Sequence, residues 1–522
     1  VELRKVSLEF RTEPPVETRN HPFKSGGLSK AQYGWRDTIL ESYNLHLAQW
    51  DVQLSVSPSD VFPFHDSGLL PRTMTPIRSY ILRGASWSAA VQVLNTALSF
   101  AASVLLARLL GVTGYGAYQY TMGWIALLGT LAGFGLGRVV ERELAVAVAK
   151  QEWARVKGAV RFGYLVVALV SVALAVILLA LTTLIPGEKG ALFATAAFLL
   201  PIQALLGLSG AVLLGFKRVV QSSLPNVLHM CAFVALLVVV WLVAPTEGSL
   251  EPDTALYLQM AAAGVALALG IALASIAYGV QPEWKHPLEP DYAATSWLKA
   301  GLPLLLISGM LTINNQADIL MLGALVNDEA VGMYHTATRM ANFIAFALGA
   351  MIVPMRPLMS EFNSTGQQER LQRMVTKSIR AVFLLTLPLA VVFIFFGGPL
   401  LGWIYGDAFR EAASALALLS IAQLLNVAAG PVQALLVMCS HEKTVAWGVA
   451  LSTFVNVALN SILIPLAGIE GAAIATGLSL VIWNLVLVRE TERRLSVRPT
   501  VIGPGLSLIR RAGLSANETA TR

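Results

Sequence analysis

The chain has 522 residues, 56% of them hydrophobic and only 13% charged, with a mean hydropathy of +0.65, well beyond an ordinary soluble domain. Apolar runs of about 20 residues recur from Ala85 to Val488, so the reading is an all-α polytopic membrane protein, and a multidomain soluble protein is excluded. Two cysteines, Cys231 and Cys439, lie in or beside apolar helices and imply neither a disulfide framework nor a thiolate metal site.

Residues 1–73 carry scattered charges and prolines without helical or strand period, and without a signal-peptide core. Met74 opens a short basic lead, "MTPIRSYILRGASWS", so residues 1–73 are expected to be either an over-extended reading frame or a disordered cytoplasmic tail. About twelve spans follow, near 86–109, 117–137, 162–185, 191–214, 225–244, 256–279, 297–325, 331–354, 379–403, 412–437, 445–465 and 469–488. Residues 74–279 and 296–490 then form two six-helix lobes, joined by a linker at 280–295 and followed by a basic tail at 491–522. The intervals 138–161 and 355–380 read either as helices on the membrane surface or as solvated linkers.

Sorting Lys and Arg onto alternate sides puts Arg78, Arg138, Lys217, Lys285, Arg356, Lys443 and the tail on one side, and only Arg108, Lys189 and Arg410 on the other. Both termini are therefore expected in the cytoplasm. The formal net charge of +6 is explained as topology, and nucleic acid is not an expected partner. Internal echoes join the halves: "LARLLGVTGYGAY" with "LMLGALVNDEAVGMY", and "SGAVLLGFKRV" with "GPVQALLVMCSHEK". Both halves run the same way, which predicts a parallel repeat about the membrane normal.

Polar residues interrupt these helices. Asp318 lies ten residues before the turn at Asp328 and Arg339 eleven after it, so both sit roughly 10 Å below the same boundary, where an unpaired charge costs several kcal/mol. The expectation is an Asp318–Arg339 pair, either static or part of a transport step. Asn314 and Asn315 share the Asp318 stripe, and His335 and Asn342 flank Arg339 at helical spacing. Further stripes hold Gln92, Asn95, Ser99 and Ser103, then Gln423, Asn426, Gly430 and Gln433, with Asn456 and Asn460 four apart. They serve as interhelical hydrogen-bonding groups or line a wet cavity. Tyr115, Tyr118, Tyr120, Trp124, Trp403 and Tyr405 fall near span ends, where an interfacial aromatic belt is expected. No nucleotide-binding loop occurs, so any drive comes from ion or substrate gradients, with H+ or Na+ as coupling ion and no other cofactor.

The stretch "ASWSAAVQVLNTALSFAASVLLARLLGVTGYGAYQYTMGW" resembles the first hairpin of the polysaccharide (O-antigen type) flippases of the multidrug/oligosaccharidyl-lipid/polysaccharide (MOP) exporter superfamily. "DILMLGALVNDEAVGMYHTATRMAN", "IYGDAFREAASALALLSIAQLL" and "LNSILIPLAGIEGAAIATGLSLVIWN" extend the resemblance over about residues 78–490. The resemblance implies two six-helix lobes alternating between inward-open and outward-open states. It implies as substrate a polyprenyl-pyrophosphate-linked oligosaccharide, with a polysaccharide polymerase and chain-length machinery as partners in the cytoplasmic membrane. Arg339, with Arg108 and Arg138 at opposite mouths, would meet the pyrophosphate. The amide stripes would meet the sugars, and Asp318 would carry a cation. The alternatives are a peptidoglycan-precursor flippase, a cation-coupled drug exporter or, from another class, a membrane glycosyltransferase or polymerase. The last would need a catalytic carboxylate on a substantial outer loop, and the outer loops are short, so a non-enzymatic protein is expected.

Overall fold

The computed structural model describes residues 76–184, 187–243, 246, 248–279 and 289–503, with side chains from residue 90 onward. The expectations for residues 1–73, and those resting on Lys285 and the end of the tail, lie outside the described residues, as does the side chain of Arg78. The helices are α1 (Pro76–Gly133), α2 (Leu136–Ala149), α3 (Trp153–Thr182), α4 (Glu188–Ala197), α5 (Leu199–Gly215), α6 (Val219–Val243) and α7 (Pro252–Gly279). They continue with α8 (Ala294–Leu325), α9 (Asp328–Ser364), α10 (Gln368–Tyr405), α11 (Ala413–Ala429), α12 (Val432–Met438) and α13 (Glu442–Leu495).

Ten of the described helices, counting α4–α5 and the Asp407–Met438 stretch as one each, are long and apolar enough to cross a bilayer. Two of the ten are hairpins. In α1, Gly111 takes φ 69°, which a residue without Cβ adopts freely. The chain folds back there, because Ser103 Oγ and Tyr115 Oη lie 2.8 Å apart, against about 18 Å along a straight helix. In α13 the helix breaks after Pro465, at Ala467 and Gly468. Asn456 Nδ2 then reaches Thr476 Oγ1 at 3.3 Å, against about 30 Å without the break. Each hairpin supplies two spans, so the twelve expected from sequence are present: spans 1 and 2 in α1, 3 in α3, 4 in α4–α5, 5 in α6, 6 in α7, 7 in α8, 8 in α9, 9 in α10, 10 in α11–α12, and 11 and 12 in α13.

Residues 90–279 and 289–503 pack together chiefly through α1 and α2. Span 2 runs antiparallel to span 7 along its length: Gly123 faces Gln316 and Leu320, Thr130 Oγ1 meets Thr312 Oγ1 at 2.9 Å, and Gly135 presses on Gly301. Span 1 meets span 8 near the Gly111 end, where Phe100 and Phe343 stack edge to face at 4.9 Å. Farther along, Gln92, Val93 and Leu94 on span 1, and Gly349 and Ala350 on span 8, are exposed. The crevice between spans 1 and 8 is therefore shut at the Gly111 end and open toward the Gly366 end.

The repeat is visible in the backbone. After the sixth helix of each half, the chain turns back under the third. Asp291 N–H donates to Ala154 O at 3.0 Å. In the second half, Gln372 holds Arg498 through two bonds of 2.7 and 2.9 Å, and Arg380 Nε donates to Val501 O at 2.9 Å.

Neither long loop is a surface helix. α2 buries Leu136, Val139, Val140 and Leu144 against Leu208, Val212 and Trp297, because its apolar stripe finds a protein face rather than lipid. Across 355–380 the helices of spans 8 and 9 simply continue past the apolar zone and pack Met355, Met359, Leu371 and Val375 together.

Candidate functional site

Asp318 sits about two turns from the end of α8 in span 7, 8% exposed, and every donor around it comes from its own half. Tyr334 Oη donates to Oδ2 at 2.6 Å and Thr476 Oγ1 to the same oxygen at 2.6 Å. Asn460 Nδ2 donates to Oδ1 at 2.6 Å and Asn456 Nδ2 at 3.2 Å. Four donors from spans 8, 11 and 12 thus surround one carboxylate, each worth about 1.5–3 kcal/mol toward a charged acceptor. They offset the several kcal/mol that an isolated carboxylate costs at this depth. Asn460 also donates to Asn456 Oδ1 at 3.1 Å, while Asn460 Oδ1 is buried without a partner. Carboxylate, amide and hydroxyl oxygens gathered in one closed place are ligands for a hard cation or a proton.

The expected Asp318–Arg339 pair does not form. Tyr334 and Arg339 are five residues apart on span 8, about 140° around the helix, so the tyrosine faces Asp318 while the arginine faces the other half. Arg339 Nη2 donates to Ser99 Oγ and, at 3.4 Å, to Ser99 O on span 1. One turn before Arg339, on the same face, His335 Nδ1 lies 2.8 Å from Tyr115 Oη, which is itself bonded to Ser103.

Arg339 borders two cavities. One, of about 300 Å³, opens between spans 1 and 8 and is lined by Thr96, Phe100, Asn342, Phe343 and Phe346. The other, of about 110 Å³, lies among the first-half spans. From Asn342 an amide string runs into the second half: Gln423 Nε2 donates to Asn342 Oδ1 at 3.2 Å, Asn426 Nδ2 to Gln423 Oε1 at 3.2 Å, and Asn484 Nδ2 to Asn426 Oδ1 at 3.0 Å.

Of the residues expected there, Arg339 and Asn342 line the crevice, Gln423 and Asn426 join it through the amide string, and His335 turns to Tyr115 instead, while Asn95 lies one turn before Ser99 on span 1. Asn314 buries an Oδ1 without a partner, whereas Asn315, Gln92 and Gln433 are exposed. Arg108 is engaged at the Gly111 end, donating to Trp403 O and, at 2.8 Å, to Ile404 O, the terminal carbonyls of α10. Arg138 lines a separate furrow of about 500 Å³ with Glu141, Ser222 and Asn226.

Sequence reasoning left Tyr334 and Thr476 outside the candidate site, while Ser99 stood in the span 1 stripe without a link to Arg339. Asn456 and Asn460 stood out by their spacing, but nothing in the sequence tied them to Asp318. Tyr115, Tyr118 and Tyr405 are not belt residues: they are 0%, 3% and 0% exposed, because Tyr115 and Tyr405 are covered between the halves and Tyr118 lies inside the first half. Trp403, 76% exposed, does lie on the outside.

The chain matches the family described as "Polysaccharide biosynthesis protein" over residues 81–363 and that described as "Lipid II flippase MurJ" over residues 290–504. Among curated proteins it is 25% identical over 403 residues to the "Probable low-salt glycan biosynthesis flippase Agl15" of Haloferax volcanii, covering 76% of this chain and 80% of the relative. It is 29% identical to the "Probable flippase AglR" of the same organism, over 37% of this chain and 41% of the relative. Its fold resembles the inward-facing conformation of a multidrug resistance MATE family transporter of the MOP superfamily (TM-score 0.62, 15% identity, 77% of this chain and 94% of the other). It also resembles the lipid II flippase MurJ in an inward closed conformation (TM-score 0.60, 14% identity, 78% and 87%). With twelve spans, a two-half repeat and a family match over more than half its length, the chain belongs to the polysaccharide biosynthesis protein family, within the MOP superfamily.

Proposed function

We propose that the protein is a flippase that moves a polyprenyl-pyrophosphate-linked oligosaccharide across the cytoplasmic membrane by alternating access, for assembly of a surface polysaccharide. The observation that carries this reading is the position of Arg339. A guanidinium stands at the boundary of the two halves, beside a crevice that opens between spans 1 and 8 and continues into the Asn342–Gln423–Asn426 amide string. A pyrophosphate crossing lipid needs a cationic partner. Amides and aromatic edges suit the attached sugars, and a crevice between two spans leaves the prenyl chain in the bilayer. The basic asymmetry of the loops supports cytoplasmic termini, which makes the Gly366 end cytoplasmic and this conformation open inward. Asp318 is the proposed carrier of a coupling H+ or Na+. A polymerase and chain-length machinery would receive the flipped unit.

The test is a strain lacking the gene. Lipid-linked repeat units are expected to accumulate, and wild type, but not Arg339→Ala at equal membrane level, to restore surface glycan. The match to the lipid II flippase family over residues 290–504 favours one second reading, a peptidoglycan-precursor flippase, in which lipid-linked cell-wall precursor would accumulate instead. Loss of drug tolerance with no lipid-linked intermediate contradicts both readings.

A further inference from the structure

The repeat that aligns Gly116 with Gly332 and Tyr118 with Tyr334 also aligns Ala102 on span 1 with Asp318 on span 7. The 110 Å³ cavity of the first half is lined by Ala102, Tyr118, Met230, Phe233 and Gln259, which come from spans 1, 2, 5 and 6. The Asp318 cluster of the second half draws its residues from spans 7, 8, 11 and 12, the same helices one repeat later. The small cavity is therefore the counterpart of the carboxylate site, with alanine where the carboxylate stands and apolar Met230 and Phe233 on the span that corresponds to the one carrying Asn456 and Asn460.

A cation already reaches this counterpart. The guanidinium of Arg339 borders it, held by Ser99 Oγ and Ser99 O. A further acceptor lines the cavity with no hydrogen bond to the guanidinium. Gln259 is 5% exposed and its Oε1 has no partner, nor has Asn95 Oδ1, four residues before Ser99, while Arg339 Nε is a buried donor without an acceptor. No carboxylate lines the cavity, so the group it suits is one that brings many donors of fixed geometry rather than a bare metal ion.

We propose that this cavity is a guanidinium socket: the first half binds the protein's own cation, Arg339 of the second half, as a tether that holds the Gly111 end shut. The acceptors belong to the first half and the cation to span 8, so separating the halves at this end requires the guanidinium to leave. A buried guanidinium deprived of its acceptors is costly, so departure is favoured when an anionic oxygen replaces them. Only that last step rests on the flippase reading.

The test uses guanidinium ion itself as probe. Spin labels are placed at Leu184 and Leu466, each 76% exposed at the Gly111 end in opposite halves, in full-length protein in nanodiscs with Cys231 and Cys439 replaced. Arg339→Ala is expected to lose the short-distance population, and millimolar guanidinium chloride to restore it where equal potassium chloride does not. Adding Ser99→Ala should weaken that rescue about tenfold, the effect of losing one hydrogen bond to a charged group. Ser99→Ala alone, with Arg339 intact, should broaden the distribution, which keeps the test available if Arg339→Ala does not fold. Unchanged distances in Arg339→Ala, rescue by potassium chloride, or rescue indifferent to Ser99→Ala would each overturn the socket. None of these readings depends on transport, so a failed flippase assay leaves them standing.

Discussion

Gly116 and Gly332 meet backbone to backbone across the two halves, and they do so reciprocally. A Cβ on Gly116 would lie 1.6 Å from Asp328 O, and one on Gly332 would lie 2.4 Å from Val112 O. Each glycine thus presses on the carbonyl four residues before the other, the geometry of two repeats docked about a common axis.

This contact yields the first prediction. Gly116→Ala cannot be accommodated without moving backbone, a cost of about 1–3 kcal/mol that falls only on the conformation with this end closed. The distance between labels at Leu184 and Leu466 should therefore lengthen, whereas Gly129→Ala, where a Cβ meets nothing within 4 Å, should leave it unchanged. Equal effects from both substitutions would mean that the close approach does not set the gate.

Asp318 yields the second. Asp318→Asn replaces an acceptor of four hydrogen bonds by a group that must donate two of its own toward Asn460, Asn456 or the hydroxyls. Stability should fall by about 1–3 kcal/mol, read as a lower unfolding temperature in detergent, and any cation dependence of that temperature should vanish. A cation effect that survives the substitution would remove Asp318 from the coupling site.

The third concerns Asn460, whose Oδ1 is buried without a partner. If the cluster takes Na+, that oxygen is a free ligand, and Asn460→Ala should raise the sodium concentration needed for half-maximal thermal stabilisation by about tenfold or more. Thermal stability indifferent to sodium in the wild type, but transport sensitive to a proton gradient, would assign the site to H+.

Arg108 supplies the fourth. It donates across the halves to the last carbonyls of α10, so Arg108→Gln should weaken closure of the Gly111 end without touching Arg339. The expected result is a slower transport cycle with unchanged substrate affinity. Loss of affinity instead would place Arg108 in contact with the substrate.

The spans were readable because lipid imposes length and apolarity on each of them, and the repeat because "GYGAY" and "AVGMY" mark docked turns. The partners of Asp318 were not. Counting residues places Asp318 and Arg339 at one depth, but depth carries no information about direction around the helix, and the 140° between Tyr334 and Arg339 decided which half each one serves. Thr476 sits in an apolar run with Ser479 as its only polar neighbour within one turn, and only the fold of α13 at Gly468 brings it to Asp318. Tyr115 lies close to a span end by count, yet it is enclosed because the other half covers that end.

Translocation itself is the decisive measurement for Arg339. Purified protein is reconstituted in liposomes containing fluorescent prenyl-pyrophosphate-linked oligosaccharide, and the fraction reachable by an impermeant quencher is followed in time. Wild type is expected to exchange the lipid between leaflets, Arg339→Ala to do so at least about tenfold more slowly, consistent with removal of a charged hydrogen-bonding partner, and a prenyl alcohol lacking the pyrophosphate and sugars not to exchange. Equal rates for wild type, Arg339→Ala and protein-free liposomes would contradict the flippase reading.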